Sequence, residues 1–234
     1  MTFFKIYEID VKIFSLRDFG QEEACSITSS FIDACLSKNE KYLEFHKKNC
    51  YKGYSLNSPY PLEPDGIYKK EKLYTIRIRT VNKGLVDYLM ETLPDTENEY
   101  MKGLVVKVHV IPRRHITRIY SITPVVMKFE EDGYWKSHIS FEEYEKLLKT
   151  NLVKKFNQFM GVKIDENFQL YTNIQKTNRV PIKIKYKNIV LLGDKFDIEI
   201  ADNETAQDLA YLALAAGLGE NNARSCGFVN YKFL

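Results

Sequence analysis

An α+β fold is predicted: two tandem halves, each an antiparallel sheet with helices on one face. Three observations predict it. Several short stretches alternate apolar and polar residues with the period of a strand. Between them lie segments whose apolar residues recur at i, i+3, i+4 and i+7. The order β-α-β-β-α-β is met twice along the 234 residues, which is the ferredoxin-like (RRM-like) arrangement in duplicate. At about 150 residues per domain, two small domains fit the length, 1–116 and 117–234.

The elements follow in order. Residues 2–14 read as a strand, with Ile9, Val11 and Ile13 opposed to Asp10 and Lys12. Residues 20–38 show helical spacing at Ala24, Ile27, Phe31, Ala34 and Cys35. Glu22 and Glu23 stand in the first turn, where the helix dipole favours them. Residues 49–67, with Gly53, Pro59, Pro61, Pro64, Asp65 and Gly66, are a loop or hairpin. In 72–81, Tyr74, Ile76 and Ile78 alternate with Thr75, Arg77 and Arg79. Val86, Leu89, Met90 and Leu93 mark a short amphipathic helix, and 103–111 is the fourth strand.

The second half opens with a strand over 119–129, broken near Pro124. A helix over 140–160 starts with the capping box Ser140 and Glu143 and carries the stripe Tyr144, Leu147, Leu148, Leu152, Phe156, Phe159. Residues 168–174 and 180–200 supply further strands, in which Ile182, Ile184 and Tyr186 alternate with Lys183, Lys185 and Lys187. Asp202 is placed to cap a helix over 203–216, Gly217 to end it, and GFVNYKFL to close the chain as a strand.

Composition narrows the function classes. Apolar residues make up 44% and charged residues 28%, with a net charge of +3. Such a chain buries a core, and it is neither disordered nor a basic tail. A polyanion site must come from local clustering. Cys25, Cys35, Cys50 and Cys226 show no CxxC spacing, so they read as buried thiols in a reducing compartment. The charged N-terminus is unlike a signal peptide, and no apolar run is long enough for a membrane span. The expectation is a cytoplasmic protein without membrane attachment. The bare face of each sheet is a surface that single-stranded RNA modules use.

Two segments carry candidate chemistry. In GLGENNARSCGFVNY, Gly217, Gly219 and Gly227 bracket Asn221, Asn222, Arg224 and Ser225. Glycines let a backbone approach a phosphate and leave N–H groups free to donate, and Arg224 adds a charge-assisted donor. The same glycines read equally well as a helix cap followed by a turn. The stretch lacks the GK[ST] ending of a nucleoside-triphosphate loop. Its end matches part of the RNA-recognition strand pattern, at Arg224, Gly227, Phe228, Val229 and Tyr231.

The other segment is YLEFHKKNCYKGYSLN, residues 42–57, where Lys47, Lys48 and Lys52 crowd His46. An imidazole moves protons near neutral pH, and a lysine stabilises a charged transition state. Together they suit metal-free RNA cleavage by the ribose 2′-hydroxyl. A solvated basic stretch with an incidental histidine is the competing account. His109 reads as a surface or groove residue and His138 as structural. The cluster Arg113, Arg114, His115 and Arg118 reads as a phosphate-contacting patch. No grouping has metal-ligand spacing, and no cofactor is expected.

On these residues the chain resembles the Cas6 family, the CRISPR-associated endoribonucleases that cut repeat RNA into guides. The resemblance rests on the tandem halves, on Gly217, Gly219, Arg224, Gly227 and Phe228, and on His46 followed by Lys52, Tyr54 and Ser55. It implies that His46 transfers protons and that Lys52 stabilises charge on the scissile phosphate. Some members add a tyrosine on the first helix. None lies within 20–38 here, and Tyr42, beyond Thr28, Ser29 and Ser30, is the candidate third member. The implied reaction is metal-independent cleavage leaving a 2′,3′-cyclic phosphate and a 5′-hydroxyl. The RNA-binding set would be Gly217, Gly219, Asn222, Arg224, Ser225, Gly227, Phe228, Arg113, Arg114, Lys183 and Lys185, with Arg77, Arg79 and Lys187 on basic strand faces. The partner would be CRISPR repeat RNA, single-stranded or a stem-loop. A non-catalytic repeat-RNA-binding subunit of a CRISPR effector complex is the alternative. A ferredoxin-like regulator of small ligands is the third class. Other CRISPR-associated proteins and a homodimer stay open as partners.

Overall fold

The computed structural model describes residues 4–128, 134–186 and 189–234. Parts of the expected strands at 2–14, 119–129 and 180–200, Lys187 among them, lie outside the described residues.

The first half runs β1 (Ile6–Ser15), β2 (Phe19–Gly20), α1 (Gln21–Leu36), α2 (Glu40–Lys47), β3 (Tyr54–Leu56), β4 (Ile67–Tyr68), β5 (Leu73–Thr80), α3 (Lys83–Thr92) and β6 (Met101–Ile111). Its sheet has the order β3-β5-β1-β6. The second half runs β7 (Ile116–Ser121), α4 (Phe141–Met160), β8 (Tyr171–Lys176), β9 (Ile182–Tyr186), β10 (Ile189–Gly193), β11 (Phe196–Ile200), α5 (Glu204–Ala216) and β12 (Val229–Phe233). Its sheet has the order β12-β7-β11-β8. Both orders are ferredoxin-like, and the strand pairings within the two sheets are antiparallel.

The alternation in β1 buries Ile9, Val11 and Ile13 completely, against Ile76 and Ile78 of β5 and Phe31 of α1. In α4 the capping box forms as the spacing dictates. Ser140 accepts from the Glu143 amide, and the Glu143 carboxylate accepts from the Ser140 amide. The segment expected as loop or hairpin holds β3 and β4.

Three local expectations change. His46, beyond the helix expected over 20–38, occupies the last turn of α2, a separate helix capped by the Asn39 side chain. The cap of α5 is Asn203, whose side chain accepts from the Ala206 amide; Asp202 instead faces His115 Nε2 at 3.2 Å. β9 and β10 pair with each other as a separate hairpin, packed on α1 through Ile184 and Leu191 beside Cys25.

The two halves share structure. α5 is buried almost all round, the mark of a helix with protein on every side. It touches β1, β3 and β5 of one sheet and β7, β11 and β12 of the other. Ile6 and Ile111, at the ends of β1 and β6, belong to the second half's apolar core. Arg79 crosses the junction. The resemblance sets it with Arg77 on a basic strand face for RNA, yet it is 1% exposed. Its Nε donates to Glu8 at 2.5 Å, and its Nη atoms donate to the Val229 carbonyl and to Asn230 Oδ1 on β12. The rings of Phe228 and Tyr231 lie against its guanidinium. The second half covers this part of the strand face.

Candidate nucleic-acid cleavage site

The site is assembled at the junction from three segments. α1 supplies Asp33. The end of α2 and the turn after it supply His46 and Lys52. The segment between α5 and β12 supplies Arg224, on a short 3-10 turn over Asn222–Arg224. His46, Lys52 and Arg224 border a cleft of about 250 Å³, lined also by Tyr54, Glu220 and Asn222.

Arg224 Nη2 lies 2.9 Å from His46 Nε2. A guanidinium has no acceptor, so Arg224 donates and the imidazole nitrogen accepts with its lone pair. His46 is therefore neutral, with its proton on Nδ1, and Nδ1 is buried without a hydrogen-bond partner among the described residues. Arg224 Nη1 is paired with Asp33 Oδ2, and Asp33 Oδ1 stands 3.4 Å from His46 Nε2. Burial pushes the His46 pKa below its ordinary value; Asp33 pulls it up, and Arg224 and Lys52 push it down. The Lys52 ammonium donates to the Phe45 carbonyl at 2.5 Å and to the Lys48 carbonyl, closing the C-terminal end of α2. Burial lowers its pKa as well.

The glycine-rich segment is packed from behind. A Cβ on Gly227 would collide with the Leu218 carbonyl, and one on Gly219 would stand 2.5 Å from the Val126 carbonyl. Both glycines are in the left-handed region. The space their missing side chains leave is thus filled by this chain's own backbone rather than left for a phosphate.

The residue that organises this segment is Lys155 of α4, which sequence reasoning missed. It is 1% exposed. Its Nζ donates to the carbonyls of Gly217 at 2.8 Å and Gly219 at 2.6 Å and to Asn222 Oδ1 at 2.7 Å, with Ala216 at 3.3 Å. Burial pushes its pKa down to about 7, while a shell made only of acceptors favours the ammonium. A signal was present. Leu148, Leu152, Lys155 and Phe159 follow one another at helical spacing, so the lysine sits on the apolar stripe. Asp33 was also missed, and nothing in its neighbourhood in sequence marks it.

The other candidates are dispersed. The Tyr42 hydroxyl donates to the Gly84 carbonyl at 2.7 Å, and its ring stacks on Tyr88. The tyrosines that line the cleft are Tyr51 and Tyr54, and the Tyr54 hydroxyl is buried without a hydrogen-bond partner among the described residues. The Ser225 hydroxyl is in the same condition. Lys183 and Phe228 line a separate cleft of about 660 Å³, with Arg77, Lys195 and Asn230. Lys185 is exposed near Glu23, 3.7 Å away. Arg77 bridges Asp10 and Glu8.

The basic patch after β6 is largely neutralised. Arg113 pairs with Asp208 and lies against Phe4 and Tyr211. Arg118 pairs with Asp197, and His115 faces Asp202; Arg114 is exposed. One trio with ligand atoms within 4.8 Å of one another, Glu8, Asp10 and His109, comes together through the pairing of β1 with β6. No sequence spacing could show it, and Arg77 and Arg79 already occupy its carboxylates. Among the described residues no helix is long and apolar enough to cross a membrane.

The two sheets define the class: a tandem ferredoxin-like protein. Solved structures with this architecture include "CRISPR associated protein Cas6" at TM-score 0.69 and 18% identity, covering 97% of this chain and 99% of the other. "An RAMP protein binding different RNA substrates" aligns at TM-score 0.73 and 17% identity, over 97% and 99%. A Cas6-related protein from Pyrococcus furiosus aligns at TM-score 0.69 and 16% identity, over 97% and 98%. These identities speak for the fold. No curated protein sequence matches the chain. The family model for the C-terminal part of CRISPR associated protein Cas6 matches residues 106–231, more than half of the chain. The chain belongs to the Cas6 family.

Proposed function

We propose that this chain is an endoribonuclease that cuts CRISPR repeat RNA by attack of a ribose 2′-hydroxyl on its own phosphate. The observation that carries the reading is the meeting of His46, Lys52 and Arg224 at one cleft, although Arg224 stands 178 residues from His46 in the chain. Family membership and the RNA substrates named for a neighbour of the same fold support the substrate class.

In this mechanism the neutral His46 accepts the 2′-hydroxyl proton, and the 2′-oxygen bonds to phosphorus. The bond from phosphorus to the 5′-oxygen breaks, and that oxygen takes a proton from water and leaves as a hydroxyl. Lys52 and Arg224 offer donors to the phosphoryl oxygens as charge builds on them. The products are a 2′,3′-cyclic phosphate and a 5′-hydroxyl, and the route calls on no metal ion. The same reading places the chain in the cytoplasm with the repeat transcript.

The test is incubation of labelled repeat RNA with the chain in EDTA. Cutting is expected, and His46→Ala is expected to slow it by about 10²–10⁴-fold while RNA is still retained in a gel shift. A single deoxynucleotide at the cut position is expected to block cleavage, since the nucleophile is then missing. Full activity of His46→Ala, or a strict need for a divalent ion, would overturn the mechanism. A gel shift with no product from the wild-type chain would leave a repeat-RNA-binding subunit instead.

A further inference from the structure

The carboxylate of Asp33 has two oxygens in different circumstances. Oδ2 is taken by Arg224 Nη1. Oδ1 is buried and has no hydrogen-bond partner among the described residues, although it lies 3.4 Å from His46 Nε2. A buried carboxylate oxygen left unsatisfied is costly, and it calls for an explanation. The reason it is unsatisfied lies across the gap. Nε2 carries no proton here because its lone pair receives Arg224 Nη2. If Nε2 gains a proton it can no longer accept from the guanidinium, and Asp33 Oδ1, 3.4 Å away, stands as an acceptor for its new N–H.

We propose that Asp33 is the positioning residue of this site: it holds Arg224 with one oxygen and reserves the other for His46 when the imidazole takes a proton. The inference rests on the endoribonuclease reading for its meaning, not for its geometry. In the resting site Arg224 holds His46 neutral. When His46 takes the substrate proton at Nε2, the hydrogen bond from Arg224 is given up, Asp33 receives the new N–H, and Arg224 Nη2 is released toward the phosphate. Proton uptake and delivery of a phosphate-binding donor are thereby one event.

The groups facing His46 and its cleft come from each neighbouring segment. They are Asp33 from α1, Lys48, Cys50 and Lys52 after α2, the phenols of Tyr51 and Tyr54, Lys128, and Glu220 and Arg224 near the C-terminus. Among the described groups acting on His46, Asp33 alone is negative; Lys52 and Arg224 oppose it.

The test reads the His46 ring by NMR in the RNA-free protein, in wild type, Asp33→Asn and Asp33→Glu. Asparagine still offers Arg224 an acceptor but carries no charge. The His46 midpoint is expected to fall by about one pH unit in Asp33→Asn and to stay near the wild-type value in Asp33→Glu. Ring nitrogen shifts of neutral wild-type His46 are expected to show the proton on Nδ1; this measurement stands even if a variant fails to fold. A midpoint unmoved in folded Asp33→Asn, or a neutral ring protonated on Nε2, would overturn the proposal. In kinetics, Asp33→Asn is expected to lower kcat with KM unchanged and to move the acid limb of the rate profile to lower pH. Because the titration needs no RNA, it decides the role of Asp33 even if the chain cuts nothing.

Discussion

Lys155 shows what one side chain does at the scale of a residue. Its ammonium is buried and holds three backbone carbonyls and Asn222 in place, and Asn222 opens the turn that carries Arg224. Lys155→Met keeps the bulk and removes the donors. It is expected to cost at least about 2 kcal/mol, because several buried acceptors lose their partner, and to weaken cutting through Arg224. Urea unfolding and cleavage rates check both. His46 supplies a pH prediction. Its folded pKa lies below its ordinary value near 6.5, so between those two values the unfolded chain binds more protons. Its contribution to stability is therefore present above about pH 6.5 and is lost as the pH falls through the folded value. The wild type is expected to lose more stability than His46→Asn on going from pH 7 to pH 5, compared by denaturant midpoints at each pH.

The elements divide into those set by their own residues and those set by neighbours. The α4 cap was legible because its two partners are three residues apart. β1 and β5 were legible because period-two alternation needs no knowledge of the partner strand. α2 was not: eight residues with no buried side chain carry too little apolar pattern to announce a helix. The cap of α5 slipped by one residue because Asp202 and Asn203 are both good caps, and the pairing of Asp202 with His115 favours the second. The turn after α5 supplies a prediction. Gly227→Ala is expected to destabilise strongly, since the new Cβ meets the Leu218 carbonyl, a backbone atom that cannot rotate away. Gly161→Ala, at the end of α4 with nothing within 4 Å, is expected to cost only about 1–2 kcal/mol for its left-handed backbone. Thermal unfolding of the two variants makes the comparison.

At the scale of the whole molecule, the junction is where the site and the stability coincide. Arg79 of β5 bonds Val229 and Asn230 of β12, and α5 touches both sheets. The two halves are therefore expected to unfold together. Fluorescence of Trp135, the chain's one tryptophan, which belongs to the second half's core, should give the same midpoint as far-UV circular dichroism. Arg79→Ala removes one partner of a buried ion pair and is expected to cost about 3–5 kcal/mol; two separated transitions in the wild type would contradict the shared core.

From its sequence alone, this protein declared the doubled β-α-β-β-α-β order, the capped helix and His46, Lys52 and Arg224 as candidates, because periodicity and short motifs are local properties of a chain. Only the tertiary structure decided that Arg79 is buried, that Arg113 is neutralised by Asp208, that Tyr42 is engaged at Gly84, and that Asp33 and Lys155 stand at the candidate site. Each of those outcomes depends on a partner tens of residues or more away in sequence, brought near by tertiary packing, and no pattern in a single segment records which distant group will stand opposite.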